Sequence, residues 1–69
     1  MDKKILRLRE IREKRGFNQG YIADALNMKQ QQYSRYELGV RELPMKHYIA
    51  LAEFYGVSLD YLAGRSDEE

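Results

Sequence analysis

Cysteine and tryptophan are absent from this 69-residue chain, and proline and histidine occur once each. Without cysteine there is neither a disulfide nor a thiolate metal site, so the core must be ordinary apolar packing. A chain this short lies near the lower limit for a core without such staples. Helices, whose contacts are local, are the least demanding way to build one. The lone His47 has no cysteine companion and reads as an exposed helix residue rather than a ligand or a catalytic base. No apolar run approaches the roughly 20 residues that a membrane span needs. Nothing at Met1 to Lys4 resembles a signal peptide, because these residues lead straight into an amphipathic pattern. A cytoplasmic, soluble protein is expected, with no membrane partner. No catalytic constellation, cofactor, metal or small-molecule site is expected either.

Excess charge of one sign is also missing, since the formal net charge is only +1. Divided along the chain it is uneven. Residues 1–15 carry seven cations against three carboxylates, residues 16–47 four against three, and residues 48–69 one against five. On this count only the first two thirds could face a polyanion.

What is present is helical periodicity. Ile5, Leu8 and Ile11, with Leu6 beside them, predict a first helix over Lys3 to Lys14 that Gly16 ends. Phe17 is expected to anchor the following loop inward. Asn18 is a good N-cap for a second helix from Gln19 to about Leu26, with Ile22, Ala23 and Leu26 inward. Gly20 has no evident reason in the pattern. Asn27, the non-glycine type best able to take a left-handed conformation, marks a turn. A third helix from about Gln30 to Leu38 turns Tyr33, Tyr36 and Glu37 inward and leaves Gln31, Gln32, Ser34 and Arg35 outward, with Gln30 at the exposed first turn. Pro44 is placed to open a fourth helix through Tyr55, with Met45, Tyr48, Ile49, Ala52 and Tyr55 on one face. Leu51 and Phe54 broaden that face. Ser58 caps a last short helix through about Ala63, with Leu59 and Leu62 inward. Four of the six tyrosines (Tyr33, Tyr36, Tyr48 and Tyr55) fall on core faces; Tyr21 and Tyr61 stay open. Residues 1–64 therefore read as one all-α domain and residues 65–69 as a disordered acidic tail.

Arg12–Glu13 before Gly16, then Phe17–Asn18–Gln19, Ile22–Ala23, Leu26, Ser34–Arg35–Tyr36–Glu37 and Gly39 carry a resemblance. Leu51–Ala52 and Gly56 to Leu62 continue it. In their order and spacing the chain resembles the Cro/C1-type helix-turn-helix family, the lambda-repressor-like (XRE) domains of small bacterial and phage regulators. The resemblance implies a five-helix domain whose helices 2 and 3 form the helix-turn-helix. It departs from the family at Asn27, where glycine is common, and at Tyr33, where a smaller β-branched residue is usual.

The resemblance further implies a sequence-specific regulator of double-stranded DNA, acting as a repressor and as a homodimer at least on its operator. In the family the third helix lies in the major groove. Glutamine can pair with an adenine edge and arginine with a guanine edge, so Gln30, Gln31 and Arg35 are the first base-contact candidates. Gln32 and Ser34 follow them. Gln19 is the implied phosphate contact, with Lys29, Arg41 and Lys46 as further candidates, although Arg41 could equally pair with Glu37 or Glu42. Arg12 is implied as an ion-pair partner of Glu37 that can also reach a phosphate. Tyr61 and Leu62 are candidate dimer contacts. A second reading from another class is an antitoxin or adaptor that uses the same fold to grip a protein.

Overall fold

Five helices and no strand make up residues 7–69, the part of the chain that the computed structural model describes. They are α1 (Leu8–Lys14), α2 (Gln19–Ala25), α3 (Gln30–Leu38), α4 (Met45–Tyr55) and α5 (Leu59–Leu62). The expected start of the first helix at Lys3, with Ile5 and Leu6, lies outside the described residues. Pro44 proves to be the N-cap of α4, in extended backbone, rather than its first helical residue.

All five helices stop in the same way. A residue in the left-handed region follows each one: Gly16, Asn27, Gly39, Gly56 and Gly64. The next amide then bonds back five residues, as in Phe17 N–H to the Arg12 carbonyl at 3.0 Å and Met28 N–H to the Ala23 carbonyl at 2.9 Å. This closure satisfies carbonyls that the helix end would otherwise leave open. Asn27 is the one position where the left-handed residue carries a side chain, with φ at 61°. That conformation costs an L-residue roughly 1–2 kcal/mol, least for asparagine. Asn27→Ala is therefore expected to be less stable than Asn27→Gly by about 1 kcal/mol. Equal urea midpoints for the two variants would show that this turn tolerates a side chain at no cost.

The core is a shared interior into which every helix sends residues. Leu8 and Ile11 enter from α1, Ile22 and Ala23 from α2, Tyr33 and Tyr36 from α3, and Leu51, Ala52 and Tyr55 from α4. Tyr61 and Leu62 close it from α5, where the Arg7 amide also bonds the Leu62 carbonyl at 2.9 Å. Tyr33 is fully buried, so the bulk that departs from the resemblance is absorbed inside the core. Phe17 is half-buried and packs against the core's edge, with the exposed Tyr21 ring stacked on it at 4.9 Å.

Two expected faces are corrected. On α4 the buried line is Leu51, Ala52 and Tyr55 with Tyr48 beside it, while Met45 is 60% and Ile49 42% exposed. The apolar stripe of this helix is wide, and the periodicity placed its centre about one residue to the wrong side. In α5, Leu59 is 42% exposed and the inward pair is Tyr61 and Leu62. Leu59 and Leu62 share a face at i and i+3, but Leu59 opens the helix at its outer end, where the core no longer covers it.

Of residues 65–69, expected as a disordered tail, Ser66, Asp67 and Glu69 contact the two ends of α1 in the structure. Arg7 meets Asp67 at 2.8 Å, and Glu69 meets Lys14 at 2.8 Å and Arg15 at 3.3 Å.

Candidate nucleic-acid interface

The second and third helices are set against each other by one buried carboxylate. Glu37, near the end of α3, is 3% exposed at its side chain and receives the guanidinium of Arg12 on α1 in a two-pronged contact. Arg12 Nε donates to Oε2 at 2.7 Å and Nη2 donates to Oε1 at 3.1 Å. The remaining prong, Nη1, donates to the Phe17 carbonyl at 2.9 Å, which fixes the loop between α1 and α2. The Gln19 side-chain amide on α2 donates to the same Oε1 at 3.0 Å. Four parts of the chain thus converge on Glu37: α1, the first loop, the start of α2 and α3 itself.

Burial pushes the Glu37 carboxylate up, but the hydrogen bonds from Arg12 and Gln19 outweigh it, and the net effect holds its pKa below the ordinary 4.5. The Tyr33 hydroxyl reaches toward this carboxylate without meeting a partner in hydrogen-bond geometry. Burial and the Glu37 charge hold Tyr33 well above the usual phenol range and push Tyr55 up to about 12.

With α3 held in this way, its outward side is polar. Gln30, Gln31, Gln32 and Arg35 are exposed and Ser34 is half-buried. Gln19, Gln30, Gln31, Ser34, Arg35 and Leu38 line one shallow, open depression where the start of α2 meets α3. Lys29, Gln31, Gln32, Arg35 and Arg41 line a second beside it. The structure therefore gathers Gln19, all five base-contact candidates, Lys29 and Arg41 on one side of the protein. Lys46 is exposed in the first turn of α4 and lines neither depression. Arg12 is only 8% exposed, and its nitrogens are occupied by Glu37 and Phe17. Gln32 is also partly committed, because its amide donates to the Tyr36 hydroxyl at 3.2 Å.

Gly20 now has a setting. A Cβ added there would lie 3.4 Å from Gln30 Oε1, so this is where α2 passes the first side chain of α3. The caps of α2 follow the sequence: Asn18 is in extended backbone and its side chain accepts the Tyr21 amide at 2.8 Å. His47 is half-buried with its ring 6.4 Å from that of Tyr36, and burial together with Lys46 lowers its pKa. Among the described residues no group of three or more His, Cys, Asp or Glu side chains is placed to hold a metal.

Counting charges in blocks misses how the cations divide. Each one from Arg7 to Arg15 has a carboxylate partner, whereas among the described residues none pairs with Lys29, Arg35, Arg41 or Lys46. Among the described residues, the cations of the first third are spent internally, and the unpaired ones are these four of the nearly neutral middle third together with Arg65. Helical spacing could have revealed two of these pairs, Arg7–Glu10 and Arg9–Glu13 at three and four residues. The pairs across the fold had no such signal.

The Helix-turn-helix family model matches residues 8–62. YonR, a prophage-derived HTH-type transcriptional regulator of Bacillus subtilis, is 38% identical over 56 residues, which are 81% of this chain and 52% of that protein. The HTH-type transcriptional regulator ImmR of the same organism is 36% identical over 61 residues, 88% of this chain and 48% of that one. A solved transcriptional regulator from Listeria innocua superposes with a TM-score of 0.79 at 26% identity, covering 90% of this chain and 58% of the other. The chain spans about half the length of the curated relatives it matches.

Proposed function

Because the chain belongs to the Cro/C1-type helix-turn-helix family, a DNA-binding and non-enzymatic class, we propose that it represses transcription by occupying a two-fold operator. The observation that carries this reading is the outward side of α3, where exposed amides and Arg35 adjoin Lys29 and Arg41, none of them paired with a carboxylate among the described residues. In this reading Gln30, Gln31 and Arg35 approach base edges, with Ser34 and Gln32 beside them. Gln19, Lys29, Arg41 and Lys46 take backbone phosphates and set the register. Arg12 acts indirectly, by fixing Glu37 and through it the amide of Gln19. Repression is steric, with one reading helix per subunit in half-sites about one helical turn apart.

Tyr61 and Leu62 are core residues and cannot serve a dimer contact without unfolding α5. Met45, Ile49 and Leu59 are exposed apolar residues of α4 and α5 and take over as dimer candidates. Selection from a random duplex pool tests the whole proposal. A palindromic consensus is the expected result. A consensus with a single half-site removes the two-fold operator. No enrichment, together with a flat response to salt, leaves the adaptor reading in its place.

A further inference from the structure

The segment Ser66–Glu69 makes contacts at both ends of α1. At the start of the helix, Arg7 Nη2 donates to the Ser66 carbonyl at 3.1 Å and to Asp67 Oδ1 at 2.8 Å. At its end, Lys14 Nζ donates to Glu69 Oε2 at 2.8 Å and Arg15 Nη2 to Oε1 at 3.3 Å. The Ser58 amide also donates to the Glu69 carbonyl at 2.8 Å, and the Glu68 amide to Ser66 Oγ at 3.1 Å. Asp67 and Glu69 are thereby spaced to match cations about two turns apart at the two ends of α1.

We propose that this segment is an intramolecular mask, whose carboxylates occupy a second phosphate-binding surface formed by Arg7, Lys14 and Arg15. While it is seated, a duplex is confined to the α3 side. This rests on the DNA-binding reading above. Exposure separates these pairs from the buried Arg12–Glu37 contact. Asp67 is 96% exposed against 19% for Arg7, and Lys14 is 58% against 38% for Glu69, so each pair keeps one partner in water, where salt weakens it. A polyanion of high charge density can therefore take the place of the carboxylates. Arg15 also lies three residues before Asn18 and four before Gln19, so an unmasked α1 end would extend the phosphate track from the start of α2.

The test compares the full chain with the double variant Asp67→Asn/Glu69→Gln, which loses two negative charges. Asp24→Asn/Glu53→Gln loses the same two charges at exposed carboxylates outside these pairs and is the control. Fluorescence anisotropy is read on a random-sequence duplex and on a selected duplex across a salt series, after thermal melts show each variant folded. The expected result is a random-duplex affinity about tenfold higher for the tail variant than for the control. Its salt slope is steeper by about two to three, since each added phosphate contact of Arg7, Lys14 or Arg15 contributes roughly 0.9. Its preference for the selected duplex falls accordingly. Binding by the wild type with tail and control variants alike overturns the mask and leaves the DNA reading standing. Binding by none of the three overturns both.

Discussion

Glu37→Gln is expected to lower the unfolding free energy by about 3 kcal/mol, because it strands a buried guanidinium. Removing one partner of a buried pair typically costs about 3–5 kcal/mol, since the remaining charge has no solvent to return to. Arg12 is in that position: 8% exposed, with two of its three hydrogen bonds made to Glu37. A domain of this length has only about 3–10 kcal/mol in total, so the variant should melt on the order of 10–20 °C lower. The pH dependence gives an independent check. The folded pKa of Glu37 lies below its ordinary 4.5. Its contribution is thus complete above 4.5 and is lost as pH falls through the folded value. Wild type should accordingly lose stability in that acid range more steeply than the variant. Replacing both partners by apolar residues should recover much of the loss, since such exchanges are often neutral or better. A melt of Glu37→Gln within 2 °C of wild type would sink the claim that this carboxylate holds the helices together.

Arg35→Ala should weaken binding to the selected duplex by about 1–3 kcal/mol, roughly 5- to 150-fold, with a far smaller change on random sequence. A guanidinium on a guanine edge makes two directed hydrogen bonds that a wrong base cannot return, whereas a phosphate contact is alike on every sequence. Arg35 is exposed and unpaired among the described residues, so its removal leaves no buried group unsatisfied and the fold should be unaffected. Equal loss on both duplexes would reassign Arg35 to the phosphate set. Gln31→Ala should behave in the same way, and the base position it affects can be read from the altered consensus.

The helix boundaries of this chain are legible because each stop is local. Asn18 and Ser58 cap with their own side chains, and each left-handed residue sits where the sequence puts glycine or asparagine. The polar side of α3 is legible for a similar reason, since three successive glutamines cannot pack a core. The face of α4 is harder to read. Met45 and Ile49 satisfy the same periodicity as the buried residues, and only the positions of α5 and the first loop decide which flank is covered. Leu59 fails for want of length, because one turn has no period to measure. The pairing of Lys14 and Arg15 with Glu69 is invisible in sequence, being a contact across more than fifty residues with no spacing rule behind it.

None of Gln30, Gln31 and Arg35 donates a side-chain hydrogen bond to the described residues, while Gln19 and Gln32 each do. On the proposed reading, recognition and folding are therefore separable at three positions and joined at two. Substitutions at Gln30, Gln31 and Arg35 are expected to change the preferred sequence with little effect on the helices beneath them, which a selection repeated on each folded variant would check. The same freedom at position 19 or 32 disturbs the carboxylate hub or the Tyr36 hydroxyl. A library meant to redirect this domain to new sites should vary the first three and keep the other two.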